Sequence, residues 1–81
     1  MKVAKYFATK RAASGLSQTA LAGELRVDQS IVSRVESASR QLSLTEALQW
    51  IQALGLNPAE TLEDLAAIWS QSSGRRPSLW K

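Results

Sequence analysis

A chain of 81 residues with no cysteine and no histidine has neither a disulfide framework nor a thiolate zinc site. It is long enough for one domain, whose core is marginal unless packing is efficient or a second subunit contributes. Net charge is +3, placed unevenly: residues 1–40 carry seven cations against three anions, 41–72 carry four anions, and 73–81 add three cations. That division suits a chain meeting a polyanion on one side, because phosphate neutralisation needs charge only on the docking face; an ordinary solvated surface is the plainer reading.

The chain opens directly into a helical pattern. Val3 and Phe7, with the small Ala4, Ala8 and Ala12, give close-packing positions on a helix running to about Ala13, and Ser14-Gly15 ends it. From Ser17 to Ser37 the sequence SQTALAGELRVDQSIVSRVES predicts two short helices joined by a tight turn. Ser17 caps the first, with Ala20, Leu21 and Leu25 on one apolar face. The break falls at Arg26, Val27 and Asp28, and Asp28 is a second N-cap whose carboxylate also suits the helix dipole. In the helix that follows, from Gln29 to Ser37, Val32 and Val35 are three apart and face inward, which turns Gln29, Ser30, Ser33 and Arg34 outward. Such a face can read base edges in a major groove, since Gln bonds adenine and Arg bonds guanine bidentately. The unit reads as a helix-turn-helix.

After a short loop from Ser39 to Leu42, Ser43 and Glu46 form a capping-box pattern for a fourth helix with Ala47, Leu48, Trp50, Ile51 and Leu54 on a broad apolar face and Gly55 at its end. Asn57-Pro58-Ala59-Glu60 starts a fifth helix with Asn as cap and Pro at the first position. Leu62, Leu65, Ala66 and Trp69 supply its apolar stripe, and the helix is expected to fade near Ser70. With no strand pattern anywhere, the expectation is an all-α, five-helix domain over residues 1–70, followed by a basic C-terminal tail over 71–81.

Arg11, Gly15-Leu16-Ser17-Gln18, Leu21-Ala22, Leu25, Val27, Ser30, Val32-Ser33-Arg34-Val35-Glu36 and Ala53-Leu54-Gly55-Leu56 occur in this order along residues 3–66. On them the chain resembles the lambda-repressor-like (Cro/repressor, XRE) DNA-binding domains. Two positions depart from that pattern. The turn residue before Val27, commonly glycine in the family, is Arg26; either it adopts a left-handed conformation at about 1 kcal/mol relative to glycine, or the turn differs. The family also commonly has glycine after the helix ending in Glu36, where this chain has Ser37-Ala38-Ser39.

Candidate DNA-contacting residues follow. Arg34 on the outward face is the leading candidate for specificity, against an exposed guanidinium loosely paired with a carboxylate. Gln29 and Ser30 lie in the first turn, which enters the groove deepest in this motif, against simple solvation of a helix start. Ile31 either packs on a thymine methyl or sugar, or covers the first helix of the motif; Ser33 is open to phosphate or base. Ser17 and Gln18 stand where helix N–H groups attract phosphate, and the resemblance implies that Gln18 contacts the DNA backbone and supports Gln29. Ser37, Ser39 and Arg40 are placed to grip the next phosphate, with a solvated loop cation as the alternative for Arg40. The resemblance further implies that Arg11 and Glu36 form a partly buried, architectural ion pair.

Among the aromatics, Phe7, Trp50 and Trp69 at helical spacing are read as core. Leu79-Trp80, at the end of a polar tail, has no local apolar partner and is read, with Trp69, as a candidate contact to the chain's own domain or to a second subunit. Arg75 and Arg76 could reach a minor groove as a basic arm. The composite expectation is a sequence-specific regulator, a repressor more readily than an activator, binding double-stranded DNA as a homodimer on a palindromic operator. The alternative is an adaptor or antitoxin holding a protein partner. No constellation for acid–base, nucleophilic or metal chemistry is present, so no enzyme, cofactor, metal or small-molecule ligand is expected. No apolar run approaches a membrane span and no signal peptide is read, so a soluble cytoplasmic protein is expected.

Overall fold

The computed structural model describes residues 2–73, with side chains for 3–71. Five helices follow one another: α1 (Lys2–Ala13), α2 (Gln18–Leu25), α3 (Gln29–Glu36), α4 (Leu44–Ala53) and α5 (Pro58–Ser73). No strand occurs among the described residues, and none of their helices is long and apolar enough to cross a membrane. Leu79, Trp80, Arg75 and Arg76 lie outside the described residues.

Helix starts follow the caps. Ser17 Oγ accepts from the N–H of Ala20 at 3.0 Å, Ser43 and Glu46 complete a reciprocal capping box, and Asn57 Oδ1 accepts from the N–H of Glu60 at 2.9 Å. Asp28 departs from its expected role. It holds the N-cap position with extended backbone, yet its carboxylate makes no capping bond. The Ile31 N–H that would meet it bonds the Asp28 backbone carbonyl instead, at 3.0 Å, in a tightened first turn.

The core gathers Phe7 from α1, Leu21 and Ala22 from α2, Val32 and Val35 from α3, and Trp50, Ile51 and Leu54 around the end of α4. Phe7 and Trp50 meet edge to face with ring centroids 5.6 Å apart. Burial of Val32 and Val35, about 1.5–3 kcal/mol each, is what lets a helix as short as α3 persist. On α2 the inward pair is Leu21 and Ala22, with Leu25 half-buried, whereas Ala20 is exposed. In so short a helix a single alanine hardly weights the apolar face.

Helix α5 is rotated relative to its expected stripe. Thr61 is buried and Leu65 and Ile68 are half-buried, while Leu62, Ala66 and Trp69 are exposed, Trp69 by 43%. The inward set is displaced by one residue except at Leu65, which both sets share. Helix α5 seats on α1, and in that phase the Tyr6 hydroxyl donates to Asp64 Oδ2 at 2.8 Å. Burial and that bond push the Tyr6 phenol up from its ordinary pKa. The helix also extends to Ser73 rather than fading near Ser70, because Gln71-Ser72-Ser73 are polar without breaking a helix; the first breaker is Gly74.

Left-handed residues follow four of the helices: Gly15, Arg26, Ala38 and Gly55. Arg26 takes φ 60°, so the turn resolves to the left-handed alternative, and the Val27 N–H bonds the Ala22 carbonyl at 3.0 Å across it. At Ala38, φ 66°, the Ser39 N–H reaches the Arg34 carbonyl at 2.9 Å and the Ala38 N–H reaches Val35 at 3.1 Å, a Schellman closure. Glycine usually occupies such a site because a Cβ there is strained. Ala38→Gly is therefore expected to raise stability by about 1 kcal/mol, read as a higher urea midpoint with an unchanged slope.

Candidate nucleic-acid interface

Helices α2 and α3 pack against each other through Leu21, Ala22, Val32 and Val35, and α1 braces α3 from behind. That arrangement leaves one flank of α3 for solvent. Gln29, Ser30 and Arg34 are exposed on it and Ser33 is half-buried. Among the described residues no carboxylate pairs with the Arg34 guanidinium, so its donors remain available to an outside partner.

Behind this face runs a continuous chain of polar contacts. Arg11 holds Glu36 bidentately, Nε to Oε2 at 2.6 Å and Nη2 to Oε1 at 3.1 Å, with the side chains 17% and 7% exposed. Its remaining Nη1 donates to the Leu16 carbonyl at 2.7 Å, so one guanidinium ties α1 to both the end of α3 and the loop before α2. Gln18 Nε2 donates to Glu36 Oε1 at 2.9 Å, and Gln29 Nε2 donates to Gln18 Oε1 at 2.7 Å. The Leu16 carbonyl was not legible in the sequence, because its role depends on where the backbone turns after Gly15.

Ser17 uses its hydroxyl oxygen to cap α2. Ser37 and Ser39 turn their hydroxyls back on the helix end: both lie within hydrogen-bond distance of the Arg34 carbonyl, at 3.1 and 3.2 Å, and of each other at 3.1 Å. They close α3 rather than standing out from it. Ile31 is half-buried and lines a shallow concavity with Leu25, Val27, Leu42 and Trp50, so its side chain lies against the domain beside α2 and α4.

Arg40 is engaged by Glu46, with Nη2 to Oε2 at 2.9 Å and Nη1 to Oε1 at 3.4 Å. The same carboxylate accepts from the Ser43 N–H at 2.9 Å. The capping box was visible in the sequence, but this second use of Glu46 was not, because the α3–α4 loop decides which cation reaches it. The Arg40 hydrogen bond first, and the Ser43 N–H second, pull the Glu46 carboxyl down to a pKa of about 2, and the carboxylate in turn raises the Arg40 guanidinium.

A short helix packed across a second, joined by a fixed turn and presenting hydrogen-bonding side chains outward, defines a helix-turn-helix protein. Comparisons with known proteins agree. The family model described as "Helix-turn-helix domain" matches residues 3–65. An XRE-family like protein from Pseudomonas syringae pv. tomato str. DC3000 has a solved structure similar to this one, with a TM-score of 0.76 and 31% sequence identity over 83% of this chain and 82% of that one. No significant match was found among curated proteins. The chain belongs to the helix-turn-helix family, in its XRE-like branch, a class of DNA-binding regulators.

Removing one partner of the largely buried pair strands a charge. Glu36→Ala is expected to lower stability by about 3 kcal/mol, measured by urea denaturation. A second expectation follows from Glu46, whose carboxyl falls from 4.5 to about 2 in the fold. Its stabilising contribution is complete above the unfolded value and is lost as pH falls through the folded one. The stability gap between wild type and Glu46→Gln should thus shrink between about pH 4.5 and 2 in denaturation curves collected across that range.

Proposed function

We propose that this protein is a sequence-specific transcriptional repressor that binds a palindromic operator as a homodimer, with α3 in the major groove. The observation that carries this reading is the exposed hydrogen-bonding face of α3, Gln29, Ser30 and Arg34, backed by a helix that holds it at a fixed angle. Arg34 suits a bidentate contact to guanine and Gln29 one to adenine. Ser17, Gln18 and Ser33 border that face and suit the flanking phosphates. Arg40 joins them only by exchanging Glu46 for a phosphate; Ser37 and Ser39 serve by shaping the loop, and Ile31 lines the concavity beside α2 and α4.

A single eight-residue helix offers few base contacts, whereas two copies about a two-fold axis read half-sites about 34–36 Å apart and add their energies. Leu44, Leu48 and Leu62, exposed by 69%, 41% and 41%, are apolar surface that a second copy would cover. Repression requires only occupancy of an operator. It needs no catalytic or effector-binding group.

The test is selection from a randomised DNA pool at about 0.15 M salt, where non-specific phosphate binding is already screened. An inverted repeat with half-site centres one helical turn apart is the expected product. Arg34→Ala should lose about 1–3 kcal/mol of discrimination at one base pair per half-site while keeping its thermal stability. Enrichment of no motif would direct attention to a protein partner in place of DNA.

A further inference from the structure

We infer that Glu36 is a specificity-positioning residue: through Gln18 it fixes which end of the Gln29 amide faces the groove, and so makes that position select adenine over guanine. The inference rests on the reading of α3 as the base-reading helix and concerns what that helix reads. An amide has a donor end and an acceptor end, and an isolated glutamine can present either. Here the choice is forced from behind. Glu36, held by Arg11, is a carboxylate and therefore only accepts, so Gln18 must turn its NH2 toward it, as the 2.9 Å contact records. The Gln18 carbonyl is then left at the other end, where only a donor can meet it. Gln29 supplies its own NH2 at 2.7 Å.

The consequence appears at the exposed end of Gln29. One of its N–H groups is committed to Gln18, which leaves the carbonyl oxygen and a single N–H for the groove. Adenine offers a matching N6–H donor and N7 acceptor. Guanine offers two acceptors, O6 and N7, which a free glutamine can meet by turning its NH2 toward both. The held amide cannot, and its oxygen opposite O6 sets acceptor against acceptor. The chain of logic does not depend on resolving amide oxygen from nitrogen, because the carboxylate at its origin has only one polarity.

The test uses the full chain and selection from a randomised duplex pool, read as the adenine-to-guanine ratio at the position whose preference disappears in Gln29→Ala. Gln18→Leu breaks the relay and leaves the Arg11–Glu36 pair intact; its ratio is expected to fall roughly fivefold or more, with thermal stability little changed, while loss of the Gln18 phosphate contact weakens adenine and guanine sites alike. Glu36→Gln removes the acceptor-only origin and should lower the ratio likewise. Combining Glu36→Gln with Gln18→Glu moves the carboxylate one link nearer Gln29 and should restore the ratio, even where charge near the DNA weakens binding to all sequences alike. A merely structural role for Glu36 predicts lower stability with an unchanged ratio. An adenine preference that persists in Gln18→Leu, a failure of the combined variant to recover it, or guanine at the Gln29 position in the wild type would overturn the inference and leave the operator reading standing. A wild type that enriches no motif would remove the operator reading itself.

Discussion

The ion pair between Arg11 and Glu36 is the constraint on which the rest of this molecule turns. Helix α3 is eight residues long and buries two valines, too little to form alone in water. Packing keeps it on the domain, but packing of two small side chains leaves its tilt and roll weakly determined. The guanidinium supplies what the valines lack. Its planar fork takes both oxygens of Glu36 and its third nitrogen takes the Leu16 carbonyl, so α1, the loop before α2 and the last turn of α3 share one rigid group. With both side chains largely withdrawn from water, neither can leave without stranding the other.

The two arginines closest to the exposed face divide into different environments for a related reason. Arg34 projects from a helix whose neighbours on that flank are Gln29, Ser30 and Ser33, none of them anionic. Arg40, on the loop, meets the carboxylate that also caps α4. The loop is drawn tight by the Arg34 carbonyl, which accepts from the Ser39 N–H at 2.9 Å and has the Arg40 N–H and the Ser37 and Ser39 hydroxyls within hydrogen-bond distance. Charge on this side of the domain is thus partly neutralised internally and partly available outward. The net positive charge of residues 1–40 alone does not distinguish the two.

Both ends of α3 are approached through left-handed residues that are not glycine, Arg26 before it and Ala38 after it. Each is held by backbone bonds that close the preceding helix, Val27 to Ala22 and Ser39 to Arg34. The strain is local and the bonds that hold it are short in sequence. The domain tolerates it because the valines and the ion pair already specify where α3 must lie.

Much of this was legible in the residues. Caps at Ser17, Ser43 and Asn57, glycines after α1 and α4, and the inward spacing of Val32 and Val35 all act within one or two helical turns, so sequence alone determined five helices, their order and the outward flank of α3. The pairing of Arg11 with Glu36 was accessible only through resemblance, since the two lie 25 residues apart. What only the tertiary structure decided involves choices between equivalent local options: the phase of α5, whose apolar residues support two overlapping stripes until its seat on α1 selects one; the cation that Glu46 receives; and the polarity of the Gln18 and Gln29 amides. Periodicity places a side chain on a face of its own helix. It carries no information about which neighbouring helix meets that face, and hydrogen-bond direction is settled only where such neighbours converge.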